Sequence, residues 1–580
     1  MIGSVPPAVV FLAGALLIPL LRGKLRAAWL LALPLLGAVN LLALHDGANW
    51  GGLELFGHRL ILVRMDDGAV DSMSFLFGVL FHIAAFLGIL FALHVKGAVE
   101  QVAAVTYAGA ALGAVFAGDL ITLFVCWELL AVTSVFLIWA RKSARAYGAG
   151  MRYLMVNVVS GLLLLAGILV HVHETGSVTF GALNPGRLDV LALPLAAKLM
   201  LAAFGIKCAF PLLHNWLTDA YPEATPTGTV FLSAFTTKVA VYALARSFAG
   251  TTELVWIGTA MACFPIFFAV IENDLRRVLG YSMINQIGFM VAGVGVGTAL
   301  GVNGAVAHAF NDVLFKGLLF MSMGAVLHRT GKINGSDLGG LYKSMPVTAG
   351  LCLVGAASIS AFPLFSGFVS KSMVMAALAE HDFDVQWFLL LFASAGVFHH
   401  AGIKIPFFAF YAHDSGIRCR EAPLHMLLAM GIAAALCLFN GMLPNVFLYR
   451  LLPLVNDYQP YDLTHVITQS QLLFWSAMAF TGLKLTGLYP PELRSTNIDA
   501  EWTYRKGAQA LMWLLLHPLA RLGRGFETLV LTTVPRALTR LGGEVHAEER
   551  RSRGWLIGTA ALIAVAVLLG YLLLDFVRGS

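Results

Sequence analysis

Long runs of apolar residues, separated by short polar loops, recur along the whole chain. An α-helix needs about 20 apolar residues to cross the hydrocarbon core of a bilayer, and most runs are near that length. A membrane β-barrel would instead alternate apolar and polar residues in shorter segments, which these runs do not do. The pattern predicts an all-α polytopic membrane protein with about 14–16 transmembrane helices.

The predicted spans are spread from one end of the sequence to the other. They lie near residues 5–21, 27–44, 73–95, 101–117, 120–139, 151–172, 190–217, 228–248, 254–271, 277–297, 303–327, 347–380, 386–411, 425–447, 468–488 and 555–576. The first run has no basic leader, so we expect a retained span rather than a cleaved signal. The polar loop 45–70 is expected to form a small cap outside the bilayer.

The runs 190–217 and 347–380 are interrupted by proline or glycine, and a short motif repeats between them. Phe210-Pro211-Leu212 in the first recurs as Phe362-Pro363-Leu364 in the second. Each interrupted run has a lysine nearby and is followed by a span with another lysine. Paired broken spans that carry ionisable groups are typical of transporters built from inverted repeats.

These features divide the chain into six expected parts. They are N-terminal spans with a polar hairpin (1–100), a first repeat (101–250), an inverted second repeat (251–415), C-terminal spans (416–490), an amphipathic segment suited to the membrane surface or a partner's flank (491–554) and a final span (555–580). Arg550, Arg551 and Arg553 precede the final span and are expected to mark a cytoplasmic end.

Composition narrows the chemistry further. The chain is 59% hydrophobic and 12% charged, whereas soluble proteins carry about 25% charged residues. The net charge of +6 comes from basic residues in short loops, so no nucleic-acid partner is needed. The six cysteines form no CxxC pair, and no Cys/His spacing suggests zinc, haem or an iron–sulfur cluster. We therefore expect no metal and no cofactor.

Lys207 and Lys238 lie in apolar helical segments, with Pro211, Pro222 and Pro226 between them. Proline breaks a helix, and in lipid the freed backbone groups need protein or water partners. A buried amine can exchange protons near neutral pH once burial lowers its pKa, which an arginine cannot do. These lysines therefore suggest a polar path for protons, although lysines snorkelling to an interface remain an alternative.

Further ionisable residues occur at predicted membrane depth. Glu128 lies in the run LFVCWELLAVTSVFLIW, where a carboxylate needs a cation to stay charged. It could also belong to a static ion pair or to a loop. His308, Asp312 and Lys316 are spaced by four residues, so they share one helix face and suggest a stretch of proton relay. The alternatives are a polar seam between helices, or metal binding by His308 and Asp312 without an evident third ligand.

Two more lysines complete the candidate relay. Lys371 lies in LFSGFVSKSM, where Gly367 and the serines could let the helix unwind and admit water. Lys404 lies two residues before Pro406. Either lysine could instead face a loop. The full candidate set is Glu128, Lys207, Lys238, His308, Asp312, Lys316, Lys371 and Lys404.

Five motifs now point to a known family. They are WELL at 127–130, the Lys207–Lys238 block, RRVLGYSMINQIGFM at 276–290, FKGLLF at 315–320 and FPLFSGFVSKSM at 362–373. Over about residues 70–450 the chain resembles the proton-conducting antiporter-like subunits of Mrp-type Na+/H+ antiporters, respiratory complex I and membrane-bound hydrogenases. Lys371 and the tail NIDAEWTYRKGAQALMW look most like the Mrp D-type subunit.

The resemblance implies two inverted five-helix repeats, each with a discontinuous helix. It implies that Glu128 pairs with Lys207, that Lys238 links two half-channels and that Lys371 ends the second half. Where many relatives place histidine, four residues before the eleventh-span lysine, this chain has Asp312, and His308 lies one turn earlier. The tail resembles a shortened lateral arm of complex I's largest antiporter-like subunit.

The sequence thus favours a non-enzymatic subunit of a multi-subunit cation/proton antiporter. Its expected partners are other membrane subunits, H+, Na+ and the lipid bilayer. Its expected location is the cytoplasmic membrane of a prokaryote. A redox-driven pump module, a module energising inorganic-carbon uptake and a non-transporting scaffold remain as alternatives.

Overall fold

The computed structural model describes residues 3–50, 53–55, 57–455, 457–494, 497–537, 539–540 and 565–568. The chain forms two compact units, Met1–Asn497 and Ile498–Ser580. In the second unit, one amphipathic helix covers Ala500–Thr528. Most of the predicted final span, and the three arginines before it, lie outside the described residues.

The described part of the first unit begins with ten α-helices, and the last two of these are separated only by Phe235. They are α1 (Pro7–Leu17), α2 (Gly23–Leu42), α3 (Ser72–Phe91), α4 (Ala98–Phe116), α5 (Leu120–Trp139), α6 (Ala144–Thr175), α7 (Leu195–Lys207), α8 (Asn215–Ala220), α9 (Gly228–Ala234) and α10 (Thr236–Ser247).

Nine further α-helices lie in the described part of this unit, and two π-helical segments, Phe398–Ile403 and Phe407–Tyr411, flank the shortest of them. They are α11 (Glu253–Ile271), α12 (Leu275–Val296), α13 (Ala299–Thr330), α14 (Pro346–Ile359), α15 (Ser366–Ala379), α16 (Asp384–Val397), α17 (Lys404–Pro406), α18 (Leu424–Met442) and α19 (Leu463–Leu485). The helix of the second unit is α20.

The prediction of an all-α polytopic membrane protein is confirmed. Among the described residues, 11 helices are long and apolar enough to cross a membrane, and three shorter apolar helices accompany them. The predicted polar cap contains two small antiparallel hairpins. They pair β1 (Leu53–Leu55) with β2 (His58–Leu60) and β3 (Met65–Asp66) with β4 (Ala69–Val70).

The helices α4–α10 and α11–α17 follow the same order. The third helix of each group, α6 and α13, has 32 residues. Asp119 caps α5 and pairs with Thr179, while Asp274 caps α12 and pairs with Asn334. Between Asp119 and Asp274 the chain crosses the bundle five times, through α5, α6, α7–α8, α9–α10 and α11. The two caps therefore lie at opposite ends of the bundle, which we call the Asp119 end and the Asp274 end.

Both broken helices are interrupted in the same way. Between α7 and α8, Ala209 and Leu212 have φ of 61° and 69°, and between α14 and α15, Ala361 and Leu364 have φ of 60° and 74°. Left-handed backbone costs a non-glycine residue roughly 1–2 kcal/mol, so the surrounding packing must hold both breaks. Each break contains a proline that cannot donate a backbone hydrogen bond.

The second break lies earlier than the sequence suggested. The helix is interrupted at 360–365, and Gly367 is already part of α15. A Cβ at Gly367 would lie 1.9 Å from the Ser358 carbonyl oxygen. Gly367 therefore permits close packing of α15 on α14 rather than unwinding.

Candidate functional site

The two helix groups are joined by a buried ion pair. Lys238 Nζ of α10 lies 2.5 Å from Asp312 Oδ2 of α13, and both side chains are 0% exposed. Lys238 also donates to the Ser233 carbonyl oxygen at 3.1 Å. The sequence analysis gave Asp312 as a step between His308 and Lys316 on its own helix, which stays a prediction. The direct ionic partner of Asp312 is the lysine of the other helix group.

His308 is held at both ring nitrogens by side chains of neighbouring helices. Nδ1 lies 3.0 Å from Ser370 Oγ of α15, and Nε2 lies 3.1 Å from Gln286 Oε1 of α12. Phe289 and Phe315 flank the ring. Because Ser370 precedes Lys371, this hydrogen bond connects α13 with the helix that carries the next candidate lysine.

Lys316 and Lys371 are also buried, and each amine donates to one polar oxygen. Lys316 Nζ donates to Ser282 Oγ at 2.8 Å. Lys371 Nζ donates to the carbonyl oxygen of Ile359 at 3.2 Å. That carbonyl is at the end of α14, so the break supplies the acceptor. His308, Asp312 and Lys316 share one face as predicted, but their polar partners lie on other helices.

Lys207 contacts Trp127 rather than Glu128. Its Nζ donates to the Trp127 carbonyl oxygen at 2.6 Å and lies 4.3 Å from the centre of that ring. Glu128 Oε1 has no hydrogen-bond partner. The expected direct pair is therefore not formed between these two described residues, although they are near enough to interact electrostatically.

The position of Gly161 explains where Glu128 goes. A Cβ added at Gly161 would lie 1.4 Å from Glu128 Oε1. The carboxylate therefore occupies the space that the missing side chain leaves on α6. Trp127 lies against Lys207 and donates from Nε1 to Ser160 Oγ of α6 at 3.1 Å, while Glu128 points at Gly161 of the same helix.

A cavity of about 190 Å³ adjoins Lys371 between α15, α16 and α19. Its polar lining includes Ser372, Ser394, Thr464 and Gln469. One water occupies about 30 Å³ in the liquid, so this space is large enough for several waters. It lies towards the Asp119 end, where α16 and α19 begin.

Lys404 belongs to a separate cluster towards the Asp274 end. Its Nζ lies 3.0 Å from Glu492 Oε1 and donates to the carbonyl oxygens of Val270 and Glu272, each at 2.6 Å. The sequence missed Glu492 because it follows the last predicted span of the bundle. Within the described ranges, no three His, Cys, Asp or Glu side chains are arranged to hold a metal ion.

Residues 117–399 match the family described as NADH:quinone oxidoreductase/Mrp antiporter, TM. The matched segment includes both broken helices and every candidate relay residue except Lys404.

A curated relative extends this similarity. The chain is 30% identical over 430 residues to the A-type subunit of the Na+/H+ antiporter from Alkalihalophilus pseudofirmus, an alignment that covers 66% of this chain and 53% of the relative. The chain thus spans about half the length of the curated relatives it matches. Because these relatives are named as A-type subunits, the narrower expectation of a D-type subunit is not confirmed.

Two solved structures share the fold of this chain. A chain of the Mrp complex from Dietzia sp. DQ12-45-1b aligns with a TM-score of 0.68 at 21% identity, covering 82% of this chain and 98% of that one. A chain of the membrane-bound sulfane sulfur reductase, an archaeal respiratory membrane complex, aligns with a TM-score of 0.69 at 23% identity, covering 97% and 99%. At these identities the likeness concerns the fold.

Proposed function

We propose that this chain is a proton-conducting membrane subunit of a multi-subunit monovalent cation/proton antiporter, with Na+ as the exchanged cation. The observation that carries the proposal is the Lys238–Asp312 pair, at 0% exposure, between the two helix groups. Burying two charges is costly unless they are paired, and such a pair is weak evidence for stability alone. A pair on which the two groups converge is well placed to pass a proton between them.

The pair can act as a switch because it has two compatible protonation states. When the proton of Lys238 moves to Asp312, two buried charges become two neutral groups, which lowers the cost of burial. Neutral Lys238 can then accept a proton arriving from the Lys207 side. Protonated Asp312 can release its own proton towards His308, Lys316 and Lys371, with waters filling the gaps.

The cavity beside Lys371 would complete the path at the Asp119 end. At the other side of the switch, Glu128 and Lys207 stand apart in this structure but interact electrostatically. Forming and breaking their direct contact would change how readily Lys207 holds its proton. The conformational change required is a side-chain movement of Glu128 away from Gly161.

The loops favour an orientation with the Asp274 end in the cytoplasm. Loops at that end carry Arg22, Lys96, Arg141, Lys142, Lys332, Lys343, Arg418 and Arg420, whereas those at the Asp119 end carry Arg59, Arg64, Arg187 and Arg450. Cytoplasmic loops of membrane proteins have an excess of lysine and arginine. The Lys371 cavity would then face the outside of a prokaryotic cytoplasmic membrane.

Lys238→Ala in the intact complex tests this function. Asp312 can take up a proton and remain buried as a neutral acid, so the complex should still assemble. Proton movement in inverted membrane vesicles, followed with a pH-sensitive dye, should be abolished. Wild-type transport by an assembled Lys238→Ala complex would end the proposal.

A redox-driven pump module is the second candidate, because the matched family description also names NADH:quinone oxidoreductase. The composition of the complex that co-purifies with this chain separates the two. Small antiporter subunits together with a separate A-type chain would support the antiporter and a D-type position. Subunits that carry redox centres would support the pump.

A further inference from the structure

His400 is a buried histidine without an assigned role. It lies in the π-helical segment Phe398–Ile403 and its side chain is 0% exposed. Neither ring nitrogen forms a hydrogen bond of good geometry, and the backbone of Gly396 is a polar group that acts on the ring. Buried polar groups are nearly always paired, and each exception calls for an explanation. π-Helical segments within α-helices also occur frequently at functional sites.

The charged neighbours of His400 are two candidate relay lysines. The groups that act on it electrostatically are Lys316, Lys404 and the adjacent His399. Lys316 belongs to α13, beside the central ion pair. Lys404 follows His400 by four residues, which is close to one turn of helix. His400 is therefore near enough to both lysines to interact with them electrostatically.

The buried acid Glu492 lies between Lys404 and the loops of the Asp274 end. Glu492 is 6% exposed and forms the ion pair with Lys404. Its neighbours along the chain contact the loops of that end. Asn497 donates to Glu272 Oε2 at 3.1 Å, and Arg494 pairs with Asp337 at 2.7 Å. These contacts hold Glu492 where the chain meets polar loops.

We propose that Glu492, Lys404 and His400 form a proton branch that connects Lys316 with the Asp274 end. Lys404 would pass its proton to His400, and His400 would pass a proton to Lys316 through bridging water. A proton from water would bind Glu492 and move on to Lys404, which restores the charge of the lysine. Only protons move in these steps, and no electron transfer is involved. The branch rests on the proposed function, and it makes the second repeat accessible from both ends, since the Lys371 cavity lies towards the other end.

His400→Phe tests the ring nitrogens directly. Phenylalanine keeps a buried ring of similar size but can neither accept nor donate a proton. Proton transport by the intact complex should fall about tenfold or more, with assembly unchanged. His82→Phe is the matched control, because His82 is also buried, at 3% exposure, has an Nε2 without a partner and lies on α3 outside both helix groups. It should transport at the wild-type rate.

The double variant Lys404→Met/Glu492→Gln separates a proton-carrying pair from a structural one. Replacing both members of a buried ion pair with neutral residues avoids an unpaired charge, so assembly should persist. Transport should still fall about tenfold. Wild-type transport by this double variant, or by His400→Phe, would overturn the branch. If Lys238→Ala were inactive in the same vesicles, the proposed function would survive that result, whereas activity in Lys238→Ala would overturn the function itself.

Discussion

The long helices α6 and α13 have the same length but bury different chemistry. Both end at a left-handed glycine, Gly176 and Gly331. When α6 and α13 are aligned from their first residues, the positions of His308, Asp312 and Lys316 in α13 correspond to Tyr153, Asn157 and Gly161 in α6. All of these are buried. One helix therefore presents an ionisable face and the other a neutral face within a repeated architecture.

The two helix groups thus follow the same order of helices but differ in the source of their charges. The first group draws its ionisable residues from α5, α7 and α10, as Glu128, Lys207 and Lys238. Glu128 fills the space at Gly161, the position that corresponds to Lys316 in the second repeat. Lys207 is the last residue of α7, whereas Lys371 lies within α15, after the second break.

Removing the buried acid of α13 should have the largest effect on this comparison. Asp312→Asn gives α13 the residue that α6 has at Asn157 and leaves Lys238 buried without its acid. Removing one partner of a buried pair costs up to about 3–5 kcal/mol, and less where the remaining group becomes neutral. Transport should fall at least about 100-fold. Vesicle proton transport and the amount of assembled complex measure both effects. The exposed loop variant Asp189→Asn is the control, and equal transport by the two variants would contradict the account.

Filling the space at Gly161 should have the next largest effect. Gly161→Ala forces Glu128 to move, and overpacking of this kind costs about 1–3 kcal/mol. Transport should fall about tenfold. On α13, a Cβ at Gly317 meets nothing within 4 Å, so Gly317→Ala should gain up to about 1 kcal/mol of stability. Thermal unfolding and transport assays compare the pair, and a harmless Gly161→Ala would show that the position of Glu128 is unimportant.

Removing the serine hydroxyl that contacts His308, or the one that contacts Tyr153, should have a smaller effect on transport. Ser370 contacts His308, and Ser134 contacts Tyr153, the counterpart of His308 on α6, at 2.8 Å. Each serine-to-alanine change should cost about 0.5–1.5 kcal/mol of stability. Only Ser370→Ala should also slow transport, by several-fold. Equal transport rates would show that the hydrogen bond between His308 and Ser370 serves structure alone.

The smallest effect concerns Arg494, which ties the chain beside Glu492 to the loop beside Asn334. Its guanidinium holds the pKa of Asp337 below its usual range. This stabilisation is present above the unfolded pKa of about 3.9 and is lost as pH falls through the lower folded pKa. Arg494→Ala should therefore cost below about 1 kcal/mol at pH 7. Thermal unfolding at several pH values should show the cost shrinking in acid, and a constant cost would contradict this pairing.

The sequence predicted the helices and both breaks because apolar runs and prolines act locally. It could not predict that Lys238 pairs with Asp312, which lies 74 positions further along the chain, because helical periodicity reports only on a residue's own helix. Glu492 was missed for a similar reason, since its partner Lys404 is brought to it by tertiary packing. The resemblance suggested a Glu128–Lys207 contact, but the Glu128 carboxylate instead occupies the space beside Gly161.

Proton transport by the double variant Lys238→Met/Asp312→Asn tests the central claim most directly. Both residues become neutral, so no unpaired charge remains to disturb the fold. We expect a fully assembled complex in inverted membrane vesicles that produces no measurable pH change. Proton movement at the wild-type rate in this variant would contradict the claim that the buried pair carries protons between the two repeats.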